Sequence, residues 1–444
     1  MPLRALPWSA ATAATAAPGQ NGATGPLSGR RGDLDLMRAF VVVGLVAFHS
    51  AMVFAPGTDW FVTDPHSSAG FSVLLLWGSL WGMPLLFVVS GMGVRYALRR
   101  RSAGAFVRER LTRLLVPFVT GLVLLVPPMF YVARLSQPGF REPYWRFWLD
   151  FMNVPSMAAT LLPRGSWTSG TQEFDPAHLW FLYVLLVLTL VLLPAFVFLR
   201  GPRGARVLGR LAGAAERRPL LALAVAAVPV MAVETAFGPD VNTGGWERVS
   251  YLFPLLYGFL LASDDRFSTV LQRGRRWALA VAVVATGALL AWTASVVSFG
   301  SSLPAGWGAL QGLAGWAWLA AILGFGSALR GRSVVRPAPT APARARWWPR
   351  AAAYANEAVL PFYLLHEPII VLVAWYVVRW QLPDLAKYLV LVAASLTITV
   401  GLYELLVRRS RVTRLLFGMK LVRQAPGATH GSPAAAAASD NRLS

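Results

Sequence analysis

The chain has 444 residues, 56% of them hydrophobic and 14% charged, with eighteen tryptophans, no cysteine and a formal net charge of +21. That composition excludes an ordinary soluble domain, and repeated apolar runs of about twenty residues, each able to cross a hydrocarbon core of roughly 30 Å, mark an all-α polytopic membrane protein. Without cysteine there is no disulfide, no thiolate chemistry and no zinc-cysteine site.

In chain order, residues 1–32 are rich in Ala, Thr, Gly and Pro and lack the apolar core of a signal peptide, so they read as a disordered cytoplasmic extension. Residues 33–415 form the transmembrane domain. Ten apolar spans are expected, near 34–56, 70–98, 111–133, 178–200, 219–237, 249–263, 277–299, 306–329, 354–379 and 385–407. Residues 416–444 read as a basic and then disordered tail, with His430 in it.

The segments between spans alternate in charge. "RRRSAGAFVRERLTR", "RGPRGARVLGRLAGAAERR" and "RRSRVTR" belong to an arginine-rich set, whereas "PGTDWFVTDPHSSA", "GSSLPA" and "WQLPD" belong to a neutral or mixed one. By the positive-inside rule both termini are cytoplasmic. The arginines are topology signals, so no nucleic-acid partner is expected and the bilayer is the first partner. The longest outer connection, 134–177, contains "EPYWRFWLDF", whose aromatic spacing predicts a helix lying in the interface.

The first span, "LDLMRAFVVVGLVAFHSAMVF", carries Asp35, Arg38 and His49. Eleven residues at about 100° each make three turns plus roughly 20°, so Arg38 and His49 share a face, about 16 Å apart along the axis. Asp35 lies within about 60° of Arg38. Such a polar stripe has to face the bundle interior or a wet cavity. One reading is structural: Arg38 snorkels to the cytoplasm, Asp35 pairs with it and His49 makes a hydrogen bond at the outer boundary. The other is functional.

Arginine, ten residues, then histidine in a first span resembles the signature of the membrane acyltransferase-3 family, O-acyltransferases that modify cell-surface carbohydrates and lipids. "PLLFVVSGMGVRYALRRR", "RERLTRLLVPF", "HLWFLYVLLVL" and "EAVLPFYLLHEPIIV" resemble the same family in the same order. The likeness runs from about residue 31 to 415 and looks most like the glucan succinyltransferase branch. It implies a multi-pass protein of a bacterial cell membrane, with acyl-coenzyme A (acetyl or succinyl) as donor and a hydroxyl of an extracytoplasmic carbohydrate or lipid as acceptor. His49 would be the general base, since imidazole titrates near neutrality, and Arg38 and Asp35 would orient the donor or tune His49. An acyl-histidine intermediate is an alternative to direct transfer. No metal is called for.

The remaining motifs each have a structural and a functional reading. Arg110 and Arg113, which match the family's Arg-x-x-Arg, suit the phosphates of coenzyme A but equally anchor the third span at the cytoplasm, as does Arg108. Ser90 in "SGMG" is a candidate thioester contact, although helix packing explains the glycines; Arg95, one turn on, assists at phosphate or snorkels. In the ninth span His366 and Glu367, between Pro361 and Pro368, predict a kinked helix beside a cavity or a partner, with Tyr363 lining it. His178 opens the fourth span at an aromatic belt or floors an acceptor site. Glu234 and Glu404 are intramembrane acids without evident partners, and His66 is a solvated loop residue. The alternative is a carrier or flippase for a lipid-linked sugar. It predicts a second set of matched broken helices, which the sequence does not contain; a membrane glycosyltransferase would want large charged outer loops.

Overall fold

The computed structural model describes residues 32–58, 60–152, 176–237, 246–299, 306–333 and 343–419. The side chains of Asp35 and Arg38 lie outside the described residues, as do residues 1–31 and 420–444, His430 among them.

The chain is all-α. Each expected apolar span falls on helix: α1 (Gly32–Met52), α2 (Ala69–Arg100), α3 (Ala103–Leu135), then the short α4 (Tyr144–Phe151). There follow α5 (Trp180–Val191) and α6 (Leu193–Arg200), bent by 52° at Leu192, then α7 (Pro202–Arg217), α8 (Pro219–Phe237), α9 (Leu252–Leu261) and α10 (Asp265–Phe299). The last are α11 (Gly306–Ser333), α12 (Ala343–Val377), α13 (Asp384–Val407) and α14 (Arg411–Leu416). Among the described residues seven helices are long and apolar enough to cross a membrane, and eight if the bent α5–α6 pair is one span. The other two expected spans are α1, whose described apolar part is Phe40–Met52, and the shorter apolar stretch Arg248–Leu261.

The helices overrun the apolar stretches wherever good helix formers flank them. Helix α10 begins at Asp265, ahead of the expected 277, because Arg273, Arg275 and Arg276 continue the helical backbone beyond the hydrocarbon. The same holds for the Arg-rich start of α3, which passes through a π-helical turn, Leu111–Leu115, holding Arg113. Surface chemistry fits a bilayer. Val225 and Val228 on α8, Val284 on α10 and Leu385 on α13 are 60%, 59%, 72% and 62% exposed, and only lipid solvates a surface of that kind.

Helix α2 is the hub, packing against α1, α9 and α11, while α1 packs on α12 and α13. Gly91 of "SGMG" belongs to that packing. A Cβ on Gly91 would collide with the Leu255 carbonyl of α9, and one on Gly258 of α9 would collide with the Val88 carbonyl of α2. The two backbones therefore touch at reciprocal glycines, a small-residue crossing that needs no cofactor to explain it.

Candidate active site

Residues far apart in sequence converge where α1 ends. His49 sits in the last turn of α1, His178 in the 3-10 turn Ala177–Leu179 that enters α5, and Tyr363, His366 and Glu367 in the middle of α12. His366 and Glu367 are 0% and 2% exposed and His178 is 5%, so whatever charge they carry must be balanced inside the cluster.

His49 Nδ1 lies 2.9 Å from His366 Nε2 and 3.4 Å from Glu367 Oε2. His366 Nδ1 is 2.6 Å from the Tyr363 carbonyl. A carbonyl only accepts, so His366 carries its proton on Nδ1 and presents a lone pair at Nε2; His49 then donates Nδ1–H to it. This leaves His49 Nε2 with its lone pair, and no hydrogen bond takes it among the described residues. At 15% the His49 side chain is also more exposed than its partners.

The prolines act through the carbonyls they free. Pro361 and Pro368 do not break α12, which runs as one helix through both. Pro368 has no N–H, so the Leu364 carbonyl four residues back loses its helical donor. His178 Nε2 supplies the replacement at 3.2 Å. With that proton on Nε2, His178 Nδ1 presents a lone pair, which has no hydrogen-bond partner and faces Glu367 Oε2 at 3.5 Å. The Tyr363 hydroxyl donates to the His178 carbonyl. Ala177, just before His178, has φ of 47°, a conformation uncommon for any residue with a side chain; it turns His178 inward from what its sequence position suggests is an interfacial rim.

The connection between α1 and α2 covers His49. Trp60 stacks on its imidazole, with centroids 5.4 Å apart, and Phe48 meets it edge-on at 5.4 Å. The Trp60 indole N–H is buried without a partner. Holding this connection is a buried ion pair: Lys387 Nζ of α13 donates to Asp64 Oδ2 at 2.7 Å, while Asp64 Oδ1 accepts the His66 backbone N–H at 2.9 Å. The His66 side chain itself is 83% exposed. Sequence reasoning passed over Trp60, Asp64 and Lys387. The available signal was Lys387, an ammonium at the third residue of the expected 385–407 span.

The arginines form a second network. Gly78 of α2 lies against Phe48, and Arg95 is seventeen residues further along the same helix, about 26 Å away along its axis. Arg95 donates to the Ser263 hydroxyl at 2.9 Å and lies over the Phe259 ring. Arg110 lies over Phe106. Glu109 pairs with Arg101 and, at 3.7 Å, with Arg113, whose Nε also donates to the Gly418 carbonyl at 3.5 Å. Ser90 is partly buried on α2 between the two networks. Contrary to the sequence expectation, neither intramembrane acid is without a partner: Glu404 pairs with Arg408 at 3.1 Å, and Glu234 also interacts within the fold.

The sequence profile of a family described as an acyltransferase domain matches residues 31–404, from the start of α1 into the last turn of α13. No curated protein and no solved structure matches the chain.

Proposed function

The chain belongs to the acyltransferase-3 family of membrane enzymes, and on that premise we propose that it moves an acyl group from cytosolic acyl-coenzyme A to a hydroxyl of an extracytoplasmic carbohydrate or lipid in the cell membrane. The observation that carries this reading is the orientation of His49: its Nδ1–H is committed to His366, and among the described residues nothing takes its Nε2 lone pair. Nε2 takes the proton of the acceptor hydroxyl as that oxygen attacks the thioester carbonyl. The new ester C–O bond forms, the C–S bond breaks, and the departing thiolate receives the proton from His49. Glu367, 3.4 Å from Nδ1, balances the imidazolium formed between the two transfers, the task of the third group in any nucleophile-base-carboxylate arrangement.

Arg95, Arg110 and Arg113 receive the phosphates of coenzyme A. Glu109 and the Gly418 carbonyl hold Arg113 until phosphate replaces them. The separation along α2 requires the thioester to enter deep into the bundle, past Ser90, before it reaches His49. Trp60 offers a flat wall and a spare N–H to the acceptor. The likeness to the glucan succinyltransferase branch makes succinyl- and acetyl-coenzyme A the donors to try first.

The test is acyl-coenzyme-A-dependent labelling of membrane carbohydrate and lipid by protein in vesicles. Replacement of His49 by Ala should lower transfer by at least about a hundredfold. Unimpaired transfer by a correctly folded His49→Ala protein would sink the assignment.

A further inference from the structure

The lone pairs of this cluster outnumber its protons. His366 Nε2 is an acceptor because Nδ1–H is held by the Tyr363 carbonyl. His178 Nδ1 is an acceptor because Nε2–H is held by the Leu364 carbonyl. Between them stands the Glu367 carboxylate, 3.5 Å from His178 Nδ1. Two acceptors facing each other in a buried site repel unless something positive lies at hand. The donor that the hydrogen bonds fix inside the group is His49 Nδ1–H, which is turned to His366.

A metal ion answers that deficit, and the donors suit one. One donor atom each from His49, His366 and Glu367 lie within 4.8 Å of one another. A tetrahedral zinc ion with bonds of about 2.0–2.1 Å separates its ligand atoms by roughly 3.3–3.4 Å. The distances here, 2.9 Å from His49 Nδ1 to His366 Nε2 and 3.4 Å to Glu367 Oε2, need only small side-chain rotations to reach that. The two imidazoles are borderline donors that favour the Zn²⁺ class over Ca²⁺ or Mg²⁺, and zinc also accepts a carboxylate beside them. The Tyr363 carbonyl already fixes His366 in the tautomer a ligand needs.

We propose that His49, His366 and Glu367 form a binding site for a divalent transition-metal ion of the Zn²⁺ class, and that its occupancy switches the enzyme off. The switch rests on the acyl-transfer reading above, in which the transfer itself calls for no metal. An ion on Nδ1 of His49 moves that nitrogen's proton to Nε2. Nε2–H can no longer accept the acceptor's proton, so metal and base catalysis exclude each other at one imidazole.

The experiment uses the full chain in nanodiscs, stripped with a chelator. Zn²⁺ binding is measured by competition with a chromophoric chelator, and Co²⁺ is added separately as a probe of ligand-field absorption. About one Zn²⁺ per chain is expected, together with a low-symmetry Co²⁺ spectrum containing nitrogen and oxygen donors. Glu367→Gln and His366→Gln should each weaken binding at least about tenfold, while His66→Ala, which removes an exposed imidazole, should not. Because the Co²⁺ spectrum is read on the unaltered protein, poor folding of a variant does not decide the matter. Absence of stoichiometric binding, or binding undiminished in both Gln variants, overturns the site. Zn²⁺ should also abolish acyl transfer, with recovery on adding chelator; binding without inhibition overturns the switch. Binding by a chain that shows no transfer when stripped leaves the metal site standing and refutes the acyltransferase reading instead. Transfer that depends on His49 in a chain without metal affinity does the reverse.

Discussion

Removing the Asp64 carboxylate tests whether the connection over His49 is held by a buried charge pair. Asp64 and Lys387 are 5% and 3% exposed, and their contact at 2.7 Å is the shortest available to the ammonium. Asp64→Ala strands a buried cation, a change that costs about 3–5 kcal/mol when nothing replaces the partner. Lys387 lies close to the start of α13 at Asp384, so its long side chain has some scope to reach water, and the lower end of that range is expected. Lys387→Met strands the carboxylate, which keeps the His66 N–H and the exposed His66 imidazole at 3.6 Å, and should cost about as much. The pair Asp64→Ala with Lys387→Met leaves no buried charge and should cost well under the sum of the two single effects, giving a coupling energy of several kcal/mol. SDS-driven unfolding in bicelles measures all four proteins. Simple additivity of the two single effects would refute the argument. The folded fraction of Asp64→Ala should also transfer acyl groups more slowly, because the 53–68 connection it closes carries Trp60 onto His49.

Gly258→Ala should cost more than about 3 kcal/mol and depress the yield of folded protein, since its methyl group meets the Val88 backbone, which cannot step aside; detergent-stable yield on size exclusion reports it. Pro368→Ala returns an N–H to α12 that competes with His178 for the Leu364 carbonyl. Thermal stability should hold or rise while transfer falls about tenfold, and a loss of both would contradict the role given to that carbonyl. At the α9–α10 corner, the hydrogen bonds from Arg266 hold the Asp264 carboxyl below its usual range. A depressed folded value stabilises above the unfolded one, near 3.9, and is lost as pH falls through the folded value. Melting of the wild type should be flat in this respect between pH 7 and 5, and only below that range should the gap to Asp264→Asn narrow. The pair is partly solvated, so the gap is small.

The spans were legible because lipid demands long apolar runs, and every one of them is helical. Their ends were not, because hydropathy marks where the hydrocarbon stops and backbone hydrogen bonding continues past it, as at Asp265 of α10. His49, His178, His366 and Glu367 each stood out as ionisable groups in apolar surroundings. What the sequence could not supply was the pairing. His49 and His366 are 317 residues apart, and nothing local announces that α1 and α12 lie side by side. Nor does "LLHEP" reveal that Pro368 acts by freeing a carbonyl for a residue on another helix.

Two buried polar clusters sit near the end of α1, and the contrast between them separates structure from chemistry. Asp64 and Lys387 satisfy each other at 2.7 Å, and the second carboxylate oxygen is also bonded. A cluster selected for holding helices together ends in that condition, because each unmet group in a dry interior costs stability. The imidazole cluster does not. His178 Nδ1 and Trp60 Nε1 are buried without partners, Ala177 is held at a positive φ to bring His178 in, and the free nitrogen of His49 lies on the most exposed member. Bringing such residues into a bilayer costs about 2.5–3.5 kcal/mol for a charged one even on the lenient scale, and the fold leaves part of their hydrogen-bonding capacity unspent. That capacity is what an acceptor hydroxyl, a thioester carbonyl or a metal ion would use.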